Sequence, residues 1–123
     1  MKIAFASKDN IYVNQHFGWC EKFFIYEIDA TKSYFINEID TSLKQDSEID
    51  KLNYKISCLD DSDIVYVLQL GPKASAMVKS AGIYPMQSSG DTQTIKEVIK
   101  ALQNMMSTQT PLWLKRVMMR GKK

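Results

Sequence analysis

One histidine and two cysteines are the side chains of this sequence best suited to bind a transition metal. His16 stands in the segment Val13-Asn14-Gln15-His16-Phe17-Gly18, and Cys20 follows four residues after it. Imidazole and thiolate are both good ligands for iron. A structural zinc site or an ordinary iron-sulfur cluster takes four Cys or His ligands, so this chain cannot complete one by itself. His16 and Cys20 therefore indicate an incomplete metal site at most.

The same residues also have a purely structural interpretation. A loop histidine can hydrogen-bond to the nearby backbone, and a free cysteine can pack as a small hydrophobic side chain. Cys58 falls late in a predicted helix, where packing is the simpler interpretation. The pairs Met105-Met106 and Met118-Met119 have the spacing of helix faces rather than of soft-metal ligands. The residue types alone leave both interpretations of His16 and Cys20 open.

Composition bounds the class of protein. A chain of 123 residues, 45% hydrophobic and 24% charged, is expected to form one domain. The apolar stretch at the N-terminus is too short for a secretion signal. The longest apolar run, residues 64–68, is far below the ~18 residues that a membrane span needs. We therefore expect a cytoplasmic protein with reduced thiols and no membrane partner.

Hydrophobic patterning predicts five strands. They cover residues 3–7, 23–28, 34–39, 64–70 and 83–86. The second and third strands flank a turn-prone segment and are typical of an antiparallel hairpin. Pro85 cannot donate to a sheet ladder, so the fifth strand is expected at an edge of the sheet.

Helical spacing predicts three helices between and after these strands. The first begins after Ser47 and places Ile49, Leu52, Ile56 and Leu59 on one face. The second covers residues 74–81 and is closed by Gly82, and the third covers residues 95–106, capped by Asp91 or Thr92. The order β-β-β-α-β-α-β-α predicts an α/β domain with a mixed five-stranded sheet and helices on its faces.

The predicted sheet locates a ligand crevice, because ligands bind outside the carboxyl ends of parallel strands. If the first, fourth and fifth strands are parallel, the loops at residues 8–20, 71–73 and 88–91 meet there. Two of these loops lead into helix N-termini, where free N–H groups favour an anion. The candidate ligand-binding residues are His16, Phe17, Gly18, Cys20, Gly71, Lys73, Ser88, Ser89 and Gly90, with His16 and Cys20 as candidate metal ligands.

Two charged segments lie away from this crevice. Asp60, Asp61 and Asp63 could hold a pair of metal ions, but they precede the fourth strand and are expected in a solvated turn at the opposite end of the sheet. Residues 111–123 are predicted as a basic tail after a domain of residues 1–110. Residues 115–123 hold five basic side chains and no acidic one.

The basic tail has more than one interpretation. It is either a solvated chain end or an arm that binds nucleic acid or another anionic partner. Trp113, Leu114, Val117 and Met118 follow helical spacing, which also favours docking on a protein surface.

Several segments match one known family in order and spacing. They include Lys2-Ile3-Ala4-Phe5-Ala6-Ser7, the His-Phe-Gly segment around His16, Phe24-Ile25-Tyr26-Glu27, Ala81-Gly82-Ile83-Tyr84-Pro85 and Pro111-Leu112-Trp113-Leu114. In these segments the chain resembles the NifX/NifY family of nitrogenase accessory proteins, which is related to the C-terminal domain of NifB. The resemblance spans residues 2 to about 117, and its last segment is most like the NifX branch.

This resemblance implies a ribonuclease H-like fold, no catalysis, and a role in nitrogen fixation through the biosynthesis of the iron-molybdenum cofactor. It implies that the protein binds an iron-sulfur precursor of that cofactor, or the cofactor itself, and passes it between partners such as NifB and NifEN. The histidine of the family's His-Phe-Gly loop is the proposed cluster ligand, and that role carries over to His16. Ser62 and Leu70 stand where some relatives have cysteine, which excludes thiolate ligands there.

The implied fold also raises an enzymatic alternative, a ribonuclease H-like nuclease or phosphoryl-transfer enzyme. Such sites need a carboxylate on the first central strand to hold Mg²⁺, and residues 3–7 contain none. The fold alone therefore does not imply the activity. A third class, a nucleic-acid-binding module, rests only on the basic tail.

Overall fold

A five-stranded mixed sheet forms the centre of the structure, a computed structural model that describes residues 1–59 and 61–120, the last of these by its backbone only. The strands are β1 (Lys2–Ala6), β2 (Lys22–Ile28), β3 (Ser33–Asp40), β4 (Ile64–Val67) and β5 (Tyr84–Gln87). Their order is β3-β2-β1-β4-β5. β2 is antiparallel to β1 and β3, whereas β1, β4 and β5 are parallel. The predicted α/β sheet is confirmed, and its strand order is the ribonuclease H-like order.

Within the described residues, four helices cover the two faces of this sheet. They are α1 (Glu48–Cys58), α2 (Pro72–Ser80), α3 (Ile95–Ser107) and α4 (Leu112–Arg120). Side chains of α1 and α2 pack on one face, and those of α3 and α4 pack on the other. Alternate side chains of β1 pack in the two cores, those of Ala4 and Ala6 on the first face and those of Ile3 and Phe5 on the second. No helix within the described ranges is long and apolar enough to cross a membrane.

Local signals explain most element boundaries. The Ser47 hydroxyl accepts the Asp50 N–H at 3.1 Å, which confirms the predicted cap of α1. Gly82 closes α2 with φ of 85°, a conformation that favours glycine. Pro85 lies in the edge strand β5, as predicted. Ile49 is 39% exposed, so its predicted place on the buried face of α1 is wrong.

The predicted cap of α3 is also wrong. The cap is Thr94, whose hydroxyl accepts the Glu97 N–H at 3.0 Å, while the Glu97 carboxylate accepts the Thr94 N–H at 2.9 Å. This reciprocal capping box satisfies two N–H groups at once, so the helix begins after Thr94. Asp91 and Thr92 lie in the preceding turn.

Helix α4 changes the interpretation of the basic tail. Leu114 and Val117 are buried, and the Trp113 ring stacks on the Tyr84 ring with centroids 4.7 Å apart. A solvated chain end is therefore wrong for residues 112–119, whereas their predicted helical spacing is confirmed. Lys115 and Arg116 lie on the exposed side of the helix. The basic residues Lys122 and Lys123 lie outside the described residues.

Packing of α4 can be tested with two leucines of the same helix. Leu114 is fully buried and Leu112 is 62% exposed. We expect Leu114→Ala to lower the free energy of unfolding by about 2–5 kcal/mol, because it leaves a cavity in the core. Leu112→Ala should change the free energy by less than about 0.5 kcal/mol. Urea unfolding measures both, and equal effects would contradict the packing of α4.

Candidate functional site

The loop between β1 and β2 returns to the sheet and pairs with the residues that follow β4. Leu68 N–H donates to the Gln15 carbonyl at 2.9 Å, and Phe17 N–H donates to the Gln69 carbonyl at 3.0 Å. His16 and Gln69 thereby form a parallel bridge. The fourth strand ends earlier than predicted, at Val67, and its continuation holds His16 at the carboxyl end of the sheet.

A tight turn then separates exposed from buried side chains. The N–H groups of Trp19 and Cys20 donate to the His16 carbonyl at 3.3 and 3.0 Å. Phe17 enters the core, where its ring packs 5.8 Å from the ring of Phe23. The side chains of His16 and Trp19 remain exposed, with their rings 6.2 Å apart. The turn is therefore anchored by its buried residues and presents its imidazole to solvent.

His16 lines a cavity of about 360 Å³ beside the start of α2. The cavity lies where the sequence predicts the crevice, beyond the carboxyl ends of β1 and β4. Of the nine predicted site residues, the cavity includes His16, Gly18, Gly71 and Lys73. The other lining residues are Trp19, Glu48, Leu52, Gln69, Pro72 and Ala74.

The start of α2 makes this cavity favourable for an anion. Gly71 provides no side-chain cap, and the first turn of α2 holds no acidic residue. The first N–H groups of a helix have no partner within it, which leaves those of Lys73 and Ala74 free of helical hydrogen bonds. The Lys73 ammonium adds positive charge at the same end. Glu48 opposes this charge only partly, because its carboxylate lies 3.2 Å from the Lys51 ammonium.

Cys20 lies outside the cavity. Its side chain is buried, and the thiol donates to the Lys22 carbonyl at 2.6 Å. Burial raises the pKa of Cys20 to about 11, so the thiol is neutral near pH 7. Because iron binds the thiolate, this environment favours His16 over Cys20 as the ligand.

The loop after β5 does not line the cavity either. Ser88, Ser89 and Gly90 lie before α3, whose N-terminus is closed by its own capping box. The Ser88 hydroxyl donates to the Gly90 carbonyl, and Ser89 N–H donates to the Gln93 side chain. Helices α2 and α1, rather than α2 and α3, therefore flank the cavity.

Sequence reasoning missed Lys55. This lysine of α1 is 3% exposed, and its ammonium donates to the carbonyl of Cys20 and to the carbonyl and hydroxyl oxygens of Thr41. Burial lowers the pKa of Lys55. The available signal was its position within the apolar stripe of Leu52, Ile56 and Leu59, where a solvated lysine is out of place.

Asp61 and Asp63 of the acidic cluster lie at the opposite end of the sheet, as predicted. Asp60 lies outside the described residues. The Lys2 ammonium lies 2.8 Å from Asp61, and Lys2 N–H donates to Asp63. A second cavity of about 390 Å³ lies there, far from His16 in the sheet. Across residues 1–59 and 61–120, no three or more His, Cys, Asp or Glu side chains are grouped so as to hold a metal ion.

Together, the fold and the cavity define a small α/β domain in which one exposed imidazole lies beside an anion-favouring helix start. Comparison with known proteins specifies the class further. The chain belongs to the dinitrogenase iron-molybdenum cofactor family, whose profile matches residues 1–105. The family resemblance predicted from the sequence is thus confirmed.

Individual relatives agree with this assignment. The chain is 34% identical over 121 residues to protein NifX of Azotobacter vinelandii, covering 98% of this chain and 76% of that protein. It is 29% identical over 123 residues to NifX of Herbaspirillum seropedicae, covering 98% and 84%. Against NifY of Azotobacter vinelandii it is 28% identical, covering 96% of this chain and 48% of that protein.

The crystal structure of PH0822 shares the fold. It superposes with a TM-score of 0.65 at 22% identity, covering 85% of this chain and 91% of that one. At this identity the likeness concerns the backbone arrangement alone.

The buried state of Cys20 can be tested by alkylation. With a pKa of about 11, only about one part in a thousand of the thiol is ionised at pH 8, and the sulfur is also inaccessible. We expect iodoacetamide at pH 8 to leave Cys20 unmodified in the native protein and to modify it in urea. Peptide mass spectrometry reads both cysteines, with the half-buried Cys58 as an internal comparison. Equal rates at Cys20 in native and unfolded protein would contradict its burial.

Proposed function

We propose that this protein is a non-catalytic carrier in nitrogenase cofactor biosynthesis. Its cargo is an iron-sulfur precursor of the iron-molybdenum cofactor, or the cofactor itself. The observation that carries the proposal is the cavity in which exposed His16 lies beside Lys73 and the uncapped start of α2. Membership of the dinitrogenase iron-molybdenum cofactor family and the names of the NifX and NifY relatives support the same role.

Each part of the cavity has a separate task in this proposal. The His16 imidazole ligates an iron atom, because a neutral ring nitrogen is a good iron ligand. The N–H groups at the start of α2 and the Lys73 ammonium stabilise the negative charge of the cluster. Cys20 supplies no ligand in the folded state, since its thiol is buried and neutral.

The donors and acceptors of the cargo are, in this proposal, cofactor assembly proteins of the NifB and NifEN type. Transfer requires that a partner reach the bound cluster. The cavity permits this, because His16 is exposed and Trp19, at 82% exposure, stands beside it on the surface. We place the exchange in the cytoplasm, where free thiols such as Cys20 and Cys58 stay reduced.

The enzymatic alternative is less well supported. The side chains of Ile3, Ala4, Phe5 and Ala6 on β1 are apolar and fully buried, so this strand offers no carboxylate for Mg²⁺. Asp61 and Asp63 lie at the other end of the sheet. The nucleic-acid alternative is likewise weakened, because α4 uses Leu114 and Val117 for packing in the core.

The role of His16 can be tested by anaerobic titration of the apo-protein with the cluster produced by NifB, followed by absorbance. We expect His16→Ala to weaken binding by about tenfold or more, because the iron loses its protein ligand. Tyr12→Ala is the matched control, since Tyr12 is a partly exposed ring of the same loop outside the cavity. Equal affinities of the wild type and His16→Ala would refute the assignment of His16.

The electrostatic part can be tested with two exposed lysines of α2. Lys73 is in the first turn and lines the cavity, whereas Lys79 is in the last turn. We expect Lys73→Met to weaken cluster binding about two- to fivefold and to reduce its dependence on salt, because one cation near the anion is lost. Lys79→Met should bind as the wild type does. Similar losses in both variants would show that general charge, and not the start of α2, attracts the cluster.

A further inference from the structure

The buried ammonium group of Lys55 donates a hydrogen bond to the last residue of the turn that carries His16. Lys55 donates to the Cys20 carbonyl, to the Thr41 carbonyl at 3.3 Å and to the Thr41 hydroxyl at 3.2 Å. An ammonium group has three protons, so these three contacts use its full donor capacity. Lys55 and Thr41 are both buried. The group therefore joins α1, the His16 loop and the segment after β3.

Lys55 lies on the buried face of α1, and burying an ammonium charge is unfavourable unless strong hydrogen bonds compensate. Leu52 and Ile56 flank it on the buried face of α1. The oxygens that it contacts are neutral, so charge pairing does not explain its place. An apolar side chain at position 55 would, however, remove the Lys55 hydrogen bond from the Thr41 carbonyl and leave the Cys20 carbonyl with the Thr41 hydroxyl as its side-chain donor. Lys55 thus supplies hydrogen bonds to both carbonyls that an apolar side chain could not supply.

Cys20 connects Lys55 to His16 through hydrogen bonds of its own backbone. Its N–H donates to the His16 carbonyl at 3.0 Å, and its thiol donates to the Lys22 carbonyl at 2.6 Å. Its own carbonyl accepts from Lys55 and, at 3.2 Å, from the Thr41 hydroxyl. Cys20 is thus held at its amide, carbonyl and thiol, and the His16 turn is fixed at both ends, by Gln69 on one side and by Cys20 on the other.

We propose that Lys55 is a positioning residue of the His16 site: by anchoring Cys20, it holds the turn of residues 16–20 so that the imidazole lines the cavity. Lys55 does not contact the cargo. The importance of this position for cluster binding rests on the proposed carrier function. The coupling between Lys55 and His16 itself can be measured without any cargo.

The test uses the full chain and four variants. Lys55→Met keeps a long side chain and removes all three donors. Thr41→Val removes the hydroxyl, whereas Thr41→Ser retains it and should restore wild-type behaviour. Lys100→Met, at an exposed position of α3, is the control for loss of one lysine charge.

Two readouts report on the turn directly. His16 is the only histidine, so its ring protons can be identified in an NMR spectrum without further assignment. We expect Lys55→Met to shift and broaden these signals and to speed amide exchange at Trp19 and Cys20 by about tenfold, with wild-type exchange in β4. Thr41→Val should act in the same direction, and Thr41→Ser and Lys100→Met should match the wild type. Cluster titration should then show about a tenfold loss of affinity in Lys55→Met.

Each outcome decides a different point. A folded Lys55→Met variant with wild-type His16 signals and turn exchange would overturn the proposal, even if its stability fell. If Lys55→Met does not fold, the difference between Thr41→Val and Thr41→Ser decides instead, and its absence overturns the positioning role. If the wild type binds no cluster, the carrier function fails, whereas the NMR and exchange results still decide the role of Lys55.

Discussion

The candidate site depends on one backbone interaction, the parallel pairing of residues 15–17 with the residues that follow β4. After β1 the chain leaves the sheet, and hydrogen bonds to Leu68 and Gln69 bring it back to the same edge. This pairing places His16 next to the start of α2. Because Phe17 and Cys20 are buried on the far side, the loop cannot rotate without opening the core. The side chain of His16, although it belongs to a long loop, is thereby held in place like that of a strand residue.

Features set by local periodicity could be predicted from the sequence. The hairpin of β2 and β3, the helical stripe of α1 and the edge position of Pro85 in β5 each reflect an interaction within or between neighbouring elements. The crevice followed from these elements, because parallel neighbours must place their carboxyl ends together. Chain order alone therefore predicts that His16, Gly71 and Lys73 lie close together, and all three line the same cavity.

Features decided by tertiary contacts could not be predicted in the same way. The residue types of Cys20 and Lys55 suggest a metal ligand and a solvated charge, respectively. Both side chains are buried instead, and the Cys20 carbonyl accepts hydrogen bonds from Lys55 and from the Thr41 hydroxyl. Chain order predicts Ser88, Ser89 and Gly90 in the crevice, because it does not distinguish the three parallel strands from one another. Instead, the residues that lead into α3 pair with the first loop, because Val13 N–H donates to the Gln93 carbonyl and Ile95 N–H donates to the Ile11 carbonyl.

For the carrier that we propose, a single exposed imidazole is a chemical advantage. A site with four thiolates must break several strong bonds before its cluster can leave, whereas one His16–iron bond can be replaced by an incoming ligand from the open side. The attraction from α2 and Lys73 acts on the total charge of the cargo, so it favours capture without fixing individual atoms. Backbone hydrogen bonds hold the turn itself, so its place beside the cavity does not depend on bound cargo. The scarcity of ligands that argues against a resident metal centre is thus the property that transient binding requires.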